Sequence, residues 1–245
     1  MSDERNRDER IPRSVEIHHD HRDVQGGWLR PAVFGAMDGL VSNAALMAGV
    51  AGGSSGNTSA VALAGLAGLA AGAFSMAAGE YVSVRSQAEL AAAEIEVERR
   101  ELLARPEAEA AELVELYVGR GLPRPLAEQV VAELSKDPAT ALAIHTREEI
   151  GIDPHDLPSP FVAAGSSFLA FALGALIPLL PYLLGINSLA LSQALAVVSL
   201  FICGALVSRV TTRSWWFSGA RQAAIGVAAG LVTYGLGSLV GTGLG

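Results

Sequence analysis

The chain is predicted to be an all-α membrane protein: five transmembrane helices with a helical, acid-rich insert between the second and third. Three observations predict this. The 245 residues are 51% hydrophobic with a mean hydropathy of +0.38, too apolar for an ordinary soluble domain. Five stretches, about 31–52, 60–84, 159–184, 188–209 and 219–243, are long and apolar enough to cross a bilayer. The charge is also concentrated: residues 85–157 hold 16 of the 25 acids and 8 of the 17 bases, the whole net charge of −8.

The same features exclude several function classes. With a net charge of −8, a basic surface for nucleic acid is not expected. Cys203 is the only cysteine, so no intrachain disulfide can form. The amino terminus opens on charge, not on a short apolar run, and no cleavable signal peptide is expected. The organisation expected is a charged, disordered tail over 1–27, the first two spans over 28–84, a cytoplasmic domain over 85–157 and three further spans over 158–245. The tail carries Glu16, His18, His19, Asp20, His21 and Asp23, a dense set of donors in a segment without apolar periodicity.

Two carboxylates, Asp38 and Glu80, lie inside the first and second apolar stretches. An ionised carboxylate is costly in hydrocarbon and marks an ion or proton path by default. Gly35 to Gly39, Gly68 to Gly72, Gly226 to Gly230 and Gly237 to Gly241 are Gly-x-x-x-Gly pairs that let helix backbones approach closely in lipid. A Gly- and Ala-rich composition would produce such pairs too. Arg22, Arg30 and Arg85, then Arg209, Arg213 and Arg221, flank connections on one side, while 52–59 and 185–187 carry no charge. The excess of basic residues puts the amino terminus, the insert and the 209–221 loop in the cytoplasm. The carboxyl terminus is then outside, and Trp215 and Trp216 fit an interfacial anchor.

The insert is predicted to be helical throughout. From Ser83 to Arg105 there is no Gly or Pro and the composition favours helix, so the second span should continue into the cytoplasm. Pro106 ends it and starts a helix to 119; Pro123 and Pro125 start another through Lys136; Asp137-Pro138 starts a fourth that reaches Glu149 before Gly151. Glu94, Glu98 and Glu101 stack on one helix face, Glu109 and Glu112 form an i, i+3 pair, and His145 and Glu149 stand at i, i+4 with Glu148 beside them. Inward carboxylates on facing helices build metal sites in helical bundles. Oxygen donors suit Mn²⁺ and Fe²⁺. A solvated acidic face neutralised by Arg99, Arg100 and Arg105 is the alternative for the glutamates, and an ordinary surface histidine the alternative for His145.

These residues, taken in order, resemble the vacuolar iron transporter family, also described as nodulin-21-like. Gly35-Ala-Met-Asp38-Gly39-Leu resembles its Asp-Gly motif, and Met76-Ala-Ala-Gly79-Glu80-Tyr81 its Met-x-x-Gly-x-Tyr stretch. The insert repeats the family spacing at Glu98, Glu101, Pro106, Glu109 and Glu112; Glu149-Ile-Gly151 resembles its Glu-x-Gly closure, and Pro178-Leu-Leu-Pro181-Tyr182 a further signature. The resemblance covers about 28–243 and implies a homodimer of five-helix protomers with a cytoplasmic metal-binding insert. It implies export of Fe²⁺, and often Mn²⁺, from the cytosol in exchange for protons, with no prosthetic group; Zn²⁺ and Co²⁺ are further candidates for binding. By position, Asp38 and Met76 would line the pathway between subunits, and Glu98, Glu101, Glu109, Glu112 and Glu149 would hold the cytoplasmic metal.

Three departures stand out. Eukaryotic members often carry a glutamate where this chain has Gly68. Glu80 is an acid where they tend to have glycine; it shares a face with Met76 and is read either as a pathway residue or as a boundary group paired with Arg85. His145 takes the place of a methionine ligand. The brevity of the chain suggests a bacterial inner membrane. A membrane-anchored metal-binding protein, or a di-iron ferroxidase, is the alternative function, but the one Glu-x-x-His pair, Glu16 to His19, lies in the tail.

Overall fold

Residues 27–154, 156–209 and 213–244 are described by the computed structural model, and the expectation of a disordered, His-containing tail falls on residues outside this set. The described residues form eight α-helices and one π-helical turn: α1 (Leu29–Gly53), α2 (Thr58–Ala104), α3 (Pro106–Gly119), α4 (Arg124–Leu134), α5 (Pro138–His145), the π turn (Thr146–Ile150), α6 (Pro160–Leu183), α7 (Leu189–Val207) and α8 (Trp215–Leu244). No strand occurs among the described residues. By length and composition α1, α2, α6, α7 and α8 are apolar enough to cross a membrane.

The helix boundaries follow local chemistry. Asn57 caps α2 by accepting from the Ala60 amide at 3.1 Å, and Ser159 and Ser188 cap α6 and α7 in the same way. With no Pro between Thr58 and Ala104 and no Gly after Gly79, α2 runs 47 residues, about 70 Å. It stops where Pro106 forbids helical geometry at Arg105, and the same proline opens α3 as a first-turn residue. Asp137 accepts from the Thr140 amide at 2.9 Å and hydroxyl at 2.7 Å to start α5. The π turn closes on Gly151, whose φ of 75° is a left-handed conformation that glycine adopts without strain.

In the apolar half, α1 is central and packs chiefly on α6 and α8, while α2 lies on α6 and α7 on α8. The α1–α6 crossing is close because Gly35 and Gly39 present bare backbone: a Cβ on Gly35 would sit 2.8 Å from the Ser167 carbonyl oxygen, and one on Gly39 2.9 Å from the Ala175 nitrogen. At the α1–α8 crossing glycine faces glycine, with a Cβ on Gly53 falling 3.1 Å from the Gly237 oxygen. Two of the four predicted pairs are thus backbone crossings; Gly72 and Gly226 instead receive the side chains of Phe171 and Leu200. Side-chain donors tie the helices together: Asn43 Nδ2 to the Ala175 oxygen at 2.7 Å, Gln193 Nε2 to Ala44 at 2.9 Å, Thr233 Oγ1 to Ala45 at 2.7 Å and Ser192 Oγ to Pro178 at 2.6 Å. Such bonds hold helices together where burial of apolar surface gives no net drive. Leu63, Leu66 and Phe74 on α2, and Leu231, Val232 and Leu239 on α8, are exposed on the outer faces.

The insert is a small bundle built on the distal part of α2. Its core is Leu113, Val114, Ala127 and Val131, with Ala110, Tyr117, Val118, Leu122 and Ile144 packed around it. α8 begins at Trp215, four residues ahead of the predicted span, so both tryptophans belong to the helix and not to the loop before it.

Candidate metal centre

Four elements converge within the insert. The distal part of α2 supplies Glu98, α3 supplies Glu109, α5 ends on His145, and the π turn carries Glu149. One ligand atom from each lies within 4.8 Å of all the others. Two donors on opposite sides of one ion, each about 2.2 Å from it, are about 4.4 Å apart, so with a small inward shift these atoms could share a single divalent cation. Glu98, Glu109 and His145 are buried at 5%, 4% and 1% exposure, while Glu149 lies on the open, exposed side of the group.

Two carboxylates approach the His145 ring from different elements. Its Nδ1 lies 3.1 Å from Glu149 Oε1 and hydrogen-bonds it. Glu98 Oε1 is as near, at 3.2 Å, but off the hydrogen-bonding line, and this buried oxygen has no hydrogen-bond partner. Nor does His145 Nε2. Unpaired buried polar atoms are costly and are normally accounted for by a ligand, a water or an ion.

Electrostatics reinforce the point. Burial, and then the charges of Glu149, Glu109, Glu101 and Glu112, push the Glu98 carboxyl up to about 7. Burial also raises Glu109, helped by Glu112, Glu101 and Glu149, with His145 acting the other way. The nearby arginines do not relieve this. Arg99 pairs with Glu96 at 2.7 Å, Arg100 leans on the same carboxylate at 3.8 Å, and Arg105 reaches Glu101 at 3.4 Å. The alternative of a neutralised acidic face therefore describes Glu96 and Glu101 and not Glu98.

The predicted insert residues separate accordingly. Glu98, Glu109, His145 and Glu149 come together. Glu101 and Glu112 sit at the rim, close enough to raise both buried acids, and Glu94 is exposed, outside the group. Glu148 points away and pairs with Arg120. Sequence reasoning missed Thr146, fully buried beneath the turn, whose hydroxyl donates to the Leu142 carbonyl at 2.8 Å. It also missed the Arg120–Glu148 and Arg147–Asp153 pairs that flank Glu149. No spacing rule brings Arg120 to Glu148.

The membrane residues are less gathered. Asp38 is part-buried on α1, where its carbonyl accepts from Ser42 Oγ at 2.6 Å. Met76 packs against the Ala73, Phe171 and Ala175 cluster. Glu80 lies one turn further along α2, part-buried. Among the described residues no ion pair engages Asp38 or Glu80; Arg85, the partner considered for Glu80, instead pairs with Glu89 at 2.6 Å. Met76 and Glu98 share α2 and are 22 residues apart, about 33 Å along its axis.

A model of the VIT family matches residues 29–238. The vacuolar iron transporter 1 of Oryza sativa subsp. japonica is 33% identical over 231 residues, covering 92% of this chain and 91% of the relative. Vacuolar iron transporter 1 of Arabidopsis thaliana is 32% identical over 191 residues, 76% of each protein. A vacuolar iron transporter of Acanthamoeba castellanii is 40% identical over 163 residues, 65% of this chain and 58% of that protein. These sources are plants and an amoeba, and they lend nothing to the expectation of a bacterial protein.

Proposed function

The chain belongs to the VIT family, and from that premise we propose that it exports Fe²⁺, with Mn²⁺ as a second cargo, from the cytosol in exchange for protons. The family is one of transporters and not of enzymes. Iron is the ion named in the relatives, and the observation that carries the reading is the four-residue donor group with its unpaired buried oxygen. Three carboxylates and one imidazole form a hard-to-borderline donor set suited to Fe²⁺ and Mn²⁺.

In this reading the insert faces the cytosol, captures the ion at Glu98, Glu109, His145 and Glu149, and passes it to Asp38 and Met76 where two subunits of a homodimer meet. A carboxylate and a thioether offer one hard and one soft donor, which favours Fe²⁺ over Ca²⁺ or Mg²⁺. Glu80, a turn from Met76 with no ion pair among the described residues, stands at the entrance to that path. Ligands must lose their protons to hold a metal, so a proton arriving at Asp38 from the far side displaces the ion. Competition for one carboxylate couples the two fluxes.

The test is uptake into proteoliposomes loaded with an iron-sensitive dye, with and without a pH gradient. The wild type should respond to the gradient, and Asp38→Ala should abolish uptake while the protein keeps its oligomeric state. Undiminished flux in Asp38→Ala overturns the role of that residue; flux indifferent to pH makes the protein a passive channel. A ferroxidase would consume oxygen with Fe²⁺ at a rate set by Glu98 and Glu109, and no observation in the structure favours it.

A further inference from the structure

The α7–α8 connection carries features that metal transport leaves unused. A cavity of about 570 Å³ opens between the end of α7 and the start of α8, lined on one side by Phe201, Ile202 and Leu206 and on the other by Arg209, Arg213 and Trp215. Ile202, Leu206 and Trp215 are about half exposed. The ring of Phe201 meets Trp216 edge-on at 5.2 Å and Trp215 at 6.2 Å, a packed aromatic floor. Among the described residues neither Arg209 nor Arg213 has an ion-pair partner, and no acid lies in the 157–245 stretch that holds them.

The cavity is therefore amphipathic in a definite order. Its apolar wall lies on α7 within the span, and its two guanidinium groups lie where the helix leaves it. Trp215 and Trp216 stand at that level, as tryptophans do at a membrane–water boundary. A ligand that fits must be anionic at one end and apolar at the other, and its charge must sit at headgroup height. Basic pockets between helices on the cytoplasmic side take anionic headgroups, and guanidinium binds phosphate through paired hydrogen bonds. We propose that this cavity binds an anionic phospholipid, its phosphate on Arg209 and Arg213 and an acyl chain along Phe201, Ile202 and Leu206. The inference rests on the membrane reading of α7 and α8 but not on the identity of the metal.

Native mass spectrometry of the full chain in detergent tests it, with phosphatidylglycerol, phosphatidylcholine and inorganic phosphate added separately. The wild type should retain phosphatidylglycerol in preference to phosphatidylcholine. Arg209→Gln with Arg213→Gln should reduce that preference about thirtyfold, the factor two basic side chains supply at an anionic interface. The Lys pair at the same positions should restore most of it. Arg30→Gln with Arg221→Gln removes equal charge from exposed positions outside the cavity and should leave the preference intact. Equal retention of the two lipids overturns the proposal, and so does an equal loss in both glutamine pairs, which would mean only general surface charge. Displacement of the lipid by millimolar inorganic phosphate would make the site one for the free anion and overturn it too. Each of these outcomes can be read whether or not the protein moves iron.

Discussion

Glu98 is where burial and charge meet most sharply. Its carboxyl is pushed up to about 7 by burial and by four neighbouring carboxylates, whereas in an unfolded chain it would titrate near 4.5. A group with a raised folded pKa contributes stability that is fully present below the unfolded value and is lost as pH rises through the folded one. A shift of this size corresponds to about 3 kcal/mol. In thermal unfolding without metal, the midpoint should thus fall as pH is raised from 5 to 8, and Glu98→Gln should flatten that slope. Adding Mn²⁺ at pH 8 should return the lost stability, because the Glu98 carboxyl is then ionised and free to bind it, and should do little at pH 5. A wild-type midpoint indifferent to both pH and Mn²⁺ would contradict the assignment. The grouping was legible in part: i, i+4 spacing joined His145 to Glu149, and helical periodicity marked Glu94, Glu98 and Glu101 on one face and Glu109 with Glu112 on the next. What spacing could not divide was inner from outer. Glu101 faces Arg105 and Glu112 is exposed only because of how α3 rolls against α2, and that is a property of packing.

Among the helices, the breakers wrote the boundaries in advance. Pro106, the Asp137-Pro138 pair and Gly151 each end or begin an element where local sterics require it. The π turn was not legible: no spacing in the sequence announces that Thr146 is buried beneath it or that Glu148 pairs with Arg120. Nor could the glycine pairs be ranked, because composition alone cannot say which glycine meets backbone and which meets a side chain. The α1–α6 crossing allows a direct test. A side chain at Gly39 would collide with the backbone of Phe171 and Ala175, which cannot yield as a flexible side chain can. Gly39→Leu should therefore cost at least about 3 kcal/mol, the upper part of the usual overpacking range, and the yield of folded protein in detergent should drop with it. Gly165→Leu, on α6 with open space around it, should be neutral or slightly stabilising through helix propensity. Equal losses in the two variants would mean that loss of glycine itself, and not the crossing, matters.

For the whole molecule, the decisive feature is that one helix carries both ends of the proposed route. α2 holds Met76 and Glu80 in its apolar half and Glu98 in the insert, with no helix breaker from Val82 to Ala104. A continuous helix is stiff over this length, so the donor group is held at a set distance and azimuth along α2 from Met76 and Glu80. If delivery depends on that alignment, a hinge in the stalk should separate capture from transport. Ala92 and Ala93 are exposed, lie between Glu80 and Glu98 and touch neither group. Proline at Ala92 removes a backbone hydrogen bond and kinks the helix there at about 3 kcal/mol, while the insert keeps its own core around Leu113 and Val131. Equilibrium binding of Mn²⁺ by the Ala92→Pro protein should stay within about twofold of wild type, since the four donors move together. Flux in proteoliposomes should fall about tenfold or more, because a hinged insert no longer holds its ion at high effective concentration over the pathway. Ala92→Gly with Ala93→Gly, which softens the stalk without bending it, should fall between the two. If Ala92→Pro transports as well as the wild type, the insert gives up its metal to bulk solvent, and the continuity of α2 serves folding and not delivery.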